Sequence, residues 1–156
     1  MEPITLKING DTAVLANQFI SLSFTRAAGW QLSSLKNLIT GYEHIAQQAS
    51  PGPLWRLQAL VEYYRKIDVV RIWENDVQQE KVDYDSTAPA ELESSGRYSG
   101  HSGILLLRWA GVSIADEVGA VDVDVEISLN PEQPYAEWTL RVTSHSSRVG
   151  MERVEF

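Results

Sequence analysis

Val121-Asp122-Val123-Asp124-Val125-Glu126-Ile127-Ser128-Leu129 alternates apolar and polar residues without a break. Successive side chains of a β-strand point to opposite faces, so the valines, Ile127 and Leu129 go to one side and the acids and Ser128 to the other. A helix would scatter both sets around its circumference, whereas a strand with one dry face keeps them apart. The pattern recurs from Tyr135 to Ser144, where Ala136, Trp138, Leu140 and Val142 oppose Glu137, Thr139, Arg141 and Thr143. Asn130-Pro131-Glu132-Gln133-Pro134 between the two stretches is a turn-rich connection, and antiparallel neighbours are expected.

Upstream, similar short segments span Ile4–Ile8, Ala13–Leu15, Phe19–Thr25, Gln31–Leu38, Leu54–Tyr63 and Ile104–Trp109. Turn residues separate them at Asn9-Gly10-Asp11, Ala28-Gly29, Thr40-Gly41, Pro51-Gly52-Pro53 and Ala110-Gly111. Strands recurring every ten residues or so predict an all-β antiparallel sandwich. The best helical rival, Ile45–Ala49, is stopped by Pro51 and predicts a turn of helix at most. Asp85–His101, rich in Ser, Gly, Ala and Glu, predicts a long connection or irregular hairpin with a short strand near Leu92. Met151-Glu152-Arg153-Val154-Glu155-Phe156 again alternates and stops inside a strand-like pattern, which predicts a chain that continues beyond Phe156.

The 156 residues, 44% hydrophobic and 22% charged, suit one domain, residues 1–156, able to bury its own core. A net charge of −8 repels polyanions, so neither nucleic acid nor an anionic membrane is an expected partner, while a neutral sugar is not repelled. No apolar run reaches the ~20 residues of a membrane span. Met1-Glu2-Pro3-Ile4-Thr5 lacks the basic start of a signal peptide, which tips the expected location toward the cytoplasm. The absence of cysteine removes thiol catalysis and thiolate metal sites but leaves the redox compartment open.

No nucleophile elbow, phosphate-cradling loop or dinucleotide fingerprint occurs, so no cofactor is expected. Asp122, Asp124 and Glu126 stand ~7 Å apart along one strand face. Acids in a row point in parallel and do not converge across a glycosidic bond, which favours a solvated outer face over a catalytic pair. They lack the turn glycine and distal glutamate of a calcium loop, and His44, His101 and His145 lack zinc-motif spacing, so no metal is assigned. Aromatic faces stack on sugar rings. Trp55, Trp109 and Trp138 fall within strand patterns and are expected in the core. Trp73, in a polar stretch, and Trp30, beside Gly29, are the candidate carbohydrate platforms, with His101 in Ser99-Gly100-His101-Ser102-Gly103 as a candidate polar contact.

Ile20-Ser21-Leu22-Ser23-Phe24 and the following GWQLSSLKNLITGYE, Gly29–Glu43, resemble the opening hairpins of galactose mutarotase-like supersandwich domains. The stretch from Val121 to Phe156 is similar to the later paired strands of that superfamily. Such domains occur in aldose epimerases and at the start of many glycoside hydrolases and polysaccharide lyases. A full epimerase of this kind is roughly twice this length, and its carboxylate base lies in the half this chain does not contain. The resemblance therefore implies part of a larger supersandwich: a non-catalytic N-terminal domain of a glycoside hydrolase, inactive alone. It would buttress a catalytic domain C-terminal to Phe156 and contact carbohydrate at one edge. An autonomous carbohydrate-binding module and an oligomerisation or interaction domain are the alternatives.

Overall fold

The computed structural model describes residues 4–45, 52–64 and 77–156. Among them the chain forms β1 (Thr5–Asn9), β2 (Thr12–Ala16), β3 (Ile20–Ala27), β4 (Gly29–Asn37), β5 (Arg56–Tyr64), β6 (Val77–Asp85), β7 (Glu91–Ser99), β8 (Ser102–Ile114), β9 (Glu117–Leu129), β10 (Ala136–Ser144) and β11 (Val149–Glu155). They pair antiparallel as three sheets, ordered β1-β2-β3-β4, β10-β9-β8-β7 and β11-β5-β6. The sheets pack on one another, and the fold is the expected all-β antiparallel sandwich. Residues 46–49, most of the helical rival, lie outside the described residues.

The core is built from the periodicity that the sequence displays. Val121, Val123, Val125, Ile127 and Leu129 of β9 are all buried, as are Leu105, Leu107 and Trp109 beside them on β8. Leu15, Leu22 and Phe24 close over this face from the first sheet, and Leu57, Ala59 and Val61 from the third. Trp55 stands edge-on to Trp109, ring centres 5.6 Å apart, where the third sheet meets the second.

Three elements depart from expectation, the first being β6, which was not among the expected segments. Residues 85–101 are not mainly a loop: β7 runs for nine residues along β8, from Glu91↔Ala110 to Ser99↔Ser102. Its small residues are a packing requirement, since a Cβ on Gly96 would stand 2.7 Å from the Leu6 side chain of β1. Ala110-Gly111 is not a turn but a bulge inside β8, where the register shifts between Trp109 and Val112. Gly111 takes φ 70 there, and its N–H is satisfied by the Asp122 carboxylate at 2.8 Å.

Candidate functional site

The first and second sheets part at their β4 and β10 edges, leaving a cleft of about 290 Å³ lined by Ile20, Leu22, Leu35 and Trp138 with Lys36, Asn37, His44 and Tyr135. It lies just below the roughly 300–1,000 Å³ of small-molecule sites. Trp138 is half-buried at its floor, with Phe24 tilted against it at 5.8 Å and Phe156 edge-on at 6.2 Å between ring centres. Tyr135, 51% exposed, stands on the rim.

Both rims are pinned. Asn17 is buried and makes four hydrogen bonds: it donates to the carbonyls of Asn130 (2.8 Å) and Gln133 (2.7 Å) and accepts from the N–H groups of Phe19 (2.8 Å) and Ile20 (2.9 Å). That saturates its amide and ties the connection bearing Pro134 and Tyr135 to the start of β3. On the other rim the Glu43 carboxylate accepts from Ser34 Oγ (2.5 Å), Leu35 N–H (2.8 Å) and Ile45 N–H (3.0 Å). His44 is fixed between, its N–H donating to Leu35 at 2.9 Å and its ring edge-on to Tyr42 at 4.9 Å.

The hydrogen bond from Ser34, helped by the N–H groups of Ile45 and Leu35, draws the Glu43 carboxyl down from 4.5 to about 2. A carboxyl more acidic in the folded state stabilises the fold above its unfolded pKa and loses that contribution as the folded state protonates. Melting temperatures of the wild type and Glu43→Gln are therefore expected to converge as pH falls from about 4.5 toward about 2. Parallel curves across that window would remove the staple from the description of this rim.

The structure separates the candidate residues. Trp30 is fully buried, and its indole N–H donates to the Glu93 carbonyl at 3.2 Å. It packs in the core and offers no face to a ligand, which corrects its assignment as a surface platform. Beside it Gly29 lets the chain come close enough to Ser86 for that burial. His101 is exposed in the tight β7–β8 turn after Gly100 (φ 60) and does not line the cleft. Trp73 lies outside the described residues. Trp138, expected in the core, is the tryptophan that reaches the cleft, because β10 is an edge strand and its inner face is only half covered. An edge position leaves no mark in the alternation itself, so nothing local distinguishes Trp138 from a core residue.

The row of acids lies on the opposite face of β9 from the cleft, as the alternation requires. Arg108 spans Asp122 at 2.7 Å and Asp124 at 3.4 Å, and Arg97 reaches Glu126 at 3.4 Å. Burial raises the pKa of Asp122, but hydrogen bonds from His145 (2.8 Å) and Gly111 N–H (2.8 Å) and the charge of Arg108 overcome it and hold the carboxyl below its usual range. Asp124 and Glu126 line a depression of about 420 Å³ on this face, but they share it with Arg97, Arg108 and Arg141, and both are engaged in cross-strand ion pairs. A further depression, about 560 Å³, covers the outer face of β5, β6 and β11. Most of its charges are also engaged: Asp85 accepts from Thr87 at 2.8 and 2.5 Å, Asp83 from Gln58 at 2.9 Å, and Arg153 pairs with Glu155. Among the described residues no group of three or more His, Asp or Glu side chains is placed to hold a metal. No helix among them is long and apolar enough to cross a membrane.

No protein-family model matches the chain, and a search of curated proteins finds no relative of it.

Proposed function

We propose that the chain is a galactose mutarotase-like β-sandwich unit of a carbohydrate-active enzyme, a glycoside hydrolase in class, and that it binds a saccharide ring without acting on it. The observation that carries the reading is the cleft, which pairs the Trp138 and Tyr135 rings with Lys36, Asn37 and His44. Amide, ammonium and imidazole groups suit the hydroxyls of a neutral sugar, and the ring faces suit its C–H surface. No carboxylate lines this cleft among the described residues. Glycoside hydrolysis commonly needs two of them flanking the bond, so the acid and base belong to a separate catalytic domain.

Calorimetric titration with monosaccharides and short oligosaccharides tests this. Saturable binding is expected, with Tyr135→Ala weakening it roughly three- to tenfold through loss of one stacking face. Tyr135 is exposed, so the substitution leaves the core intact. Absence of binding across a panel of neutral sugars, or binding indifferent to Tyr135→Ala, would reject the cleft as the site. Turnover of an aryl glycoside by this chain alone would reject the non-catalytic part.

A further inference from the structure

Among the described residues β10 is a nine-residue strand hydrogen-bonded to β9 on one side only, and its pairing runs from Ala136 to Ser144 without a register shift. A regular, uncovered edge presents a row of unpaired N–H and C=O groups to any strand of suitable sequence. Three other edges are blunted, whereas β6 is a regular nine-residue edge whose Lys81 and Asp83 are already engaged by Glu152 (2.7 Å) and Gln58 (2.9 Å). β1 has five residues, the Tyr42–Ile45 segment covers β4 near Leu35 through Glu43 and His44, and a bulge between Met151 and Arg153 bends β11.

The outward charges of β10 are also unused. Glu137 and Arg141 are exposed, and neither has an ion-pair partner among the described residues. Arg141 faces Asp124 across the ladder, but Asp124 is engaged by Arg108 at 3.4 Å. We propose that a second copy of the chain adds its own β10 to this edge, antiparallel, about a two-fold axis through Thr139. In that register Glu137 of each copy faces Arg141 of the other, so both charges are matched twice. On the inner face Trp138 meets Leu140 and Ala136 meets Val142, which covers apolar side chains that are half exposed in one copy. A two-fold axis through Leu140 instead sets Glu137 against Thr143 and Arg141 against Thr139, with no charge matched. β7, at the far edge of the same sheet, carries a similar spacing in Glu93 and Arg97. Those charges are spent on Arg108 (3.7 Å) and Glu126 (3.4 Å), and Ser94 and Gly96 offer no apolar strip. The net charge of −8 opposes any encounter at long range, so the dimer forms in a concentration-dependent way. Ala136 and Trp138 also line the cleft, so pairing at this edge competes with any ligand there, and cross-linking without sugar reads the pairing by itself.

The absence of cysteine makes the test direct, because Thr139→Cys adds the sole thiol of the chain. Residues facing across an antiparallel pair have Cα atoms about 4.5–5.5 Å apart, within disulfide range. Under mild oxidation Thr139→Cys is expected to form a covalent dimer much faster than Ser95→Cys on β7. Adding Arg141→Glu to Thr139→Cys should slow the reaction roughly tenfold, since both matched pairs become like-charged. Swapping the charges, Glu137→Arg with Arg141→Glu, should restore it. Cross-linking no faster than that of Ser95→Cys, or a swapped variant as slow as Arg141→Glu alone, would overturn the proposal.

Discussion

Gly29→Ala is expected to cost more than about 4 kcal/mol, placing it among the few substitutions able to unfold a domain whose total stability is of order 5–15 kcal/mol. Gly29 has φ 83, and a Cβ there would lie 1.8 Å from the Ser86 carbonyl oxygen and 3.1 Å from the Trp109 ring nitrogen. Ser86 cannot yield cheaply. It is fully buried, its N–H donates to the Trp55 carbonyl at 3.0 Å, its Oγ accepts from Leu54 N–H at 2.8 Å, and its own carbonyl accepts from Trp109 at 2.8 Å. Moving it endangers three buried hydrogen bonds, each costing about 1–3 kcal/mol when a partner is left unsatisfied. Gly10→Ala is the control. Gly10 has φ 54 but nothing within 4 Å of the added Cβ, so only the left-handed penalty of about 1–2 kcal/mol applies. Urea midpoints of the two variants at unchanged slope measure the difference. Equal losses would show that the Gly29–Ser86 approach is not the constraint.

Trp109→Phe and Trp55→Phe remove the same atoms from neighbouring buried rings and are expected to differ by about 1–3 kcal/mol. Trp109 donates to Ser86, so phenylalanine orphans a buried carbonyl. The Trp55 ring N–H is buried without a hydrogen-bond acceptor among the described residues, so phenylalanine relieves an unpaired donor and offsets part of the lost packing. At this chain length each kcal/mol moves the melting temperature by roughly 2–4 °C, so calorimetry resolves the gap. A Trp55→Phe variant as damaged as Trp109→Phe would contradict the assignment of that hydrogen bond as the difference between them.

What was legible in the chain follows from which forces are local. Side-chain alternation is set by the strand itself, so β9, β10 and the apolar positions of β3 and β5 were readable. β7 was readable only as a short strand near Leu92, because Glu91-Leu92-Glu93-Ser94-Ser95-Gly96 has almost no apolar signal of its own and owes its full length to the ladder with β8 and to β1 lying over Gly96. The Ala110-Gly111 bulge reads like a turn because both use a glycine at positive φ. Only the distant Asp122 carboxylate makes it part of a strand. The candidate site was least legible. Trp30 and Trp138 sit in equally strand-like surroundings, and what exchanges their roles is non-local: Gly29 admits Ser86 and buries Trp30, while the edge position of β10 uncovers Trp138. Asn17, which ties down one rim through four hydrogen bonds, carries no sequence signal beyond a polar residue between two strands.

Whether the gap between β4 and β10 receives a sugar ring is decided most directly by titrating isotope-labelled protein with saccharides and following its amide and indole resonances. Shifts confined to Lys36, Asn37, His44, Tyr135 and Trp138, with the Trp30, Trp55 and Trp109 indoles unmoved, are expected. Shifts centred instead on Arg56, Asp83 and Glu155 across the outer face of β5, β6 and β11, or no shifts at saturating sugar, would contradict it.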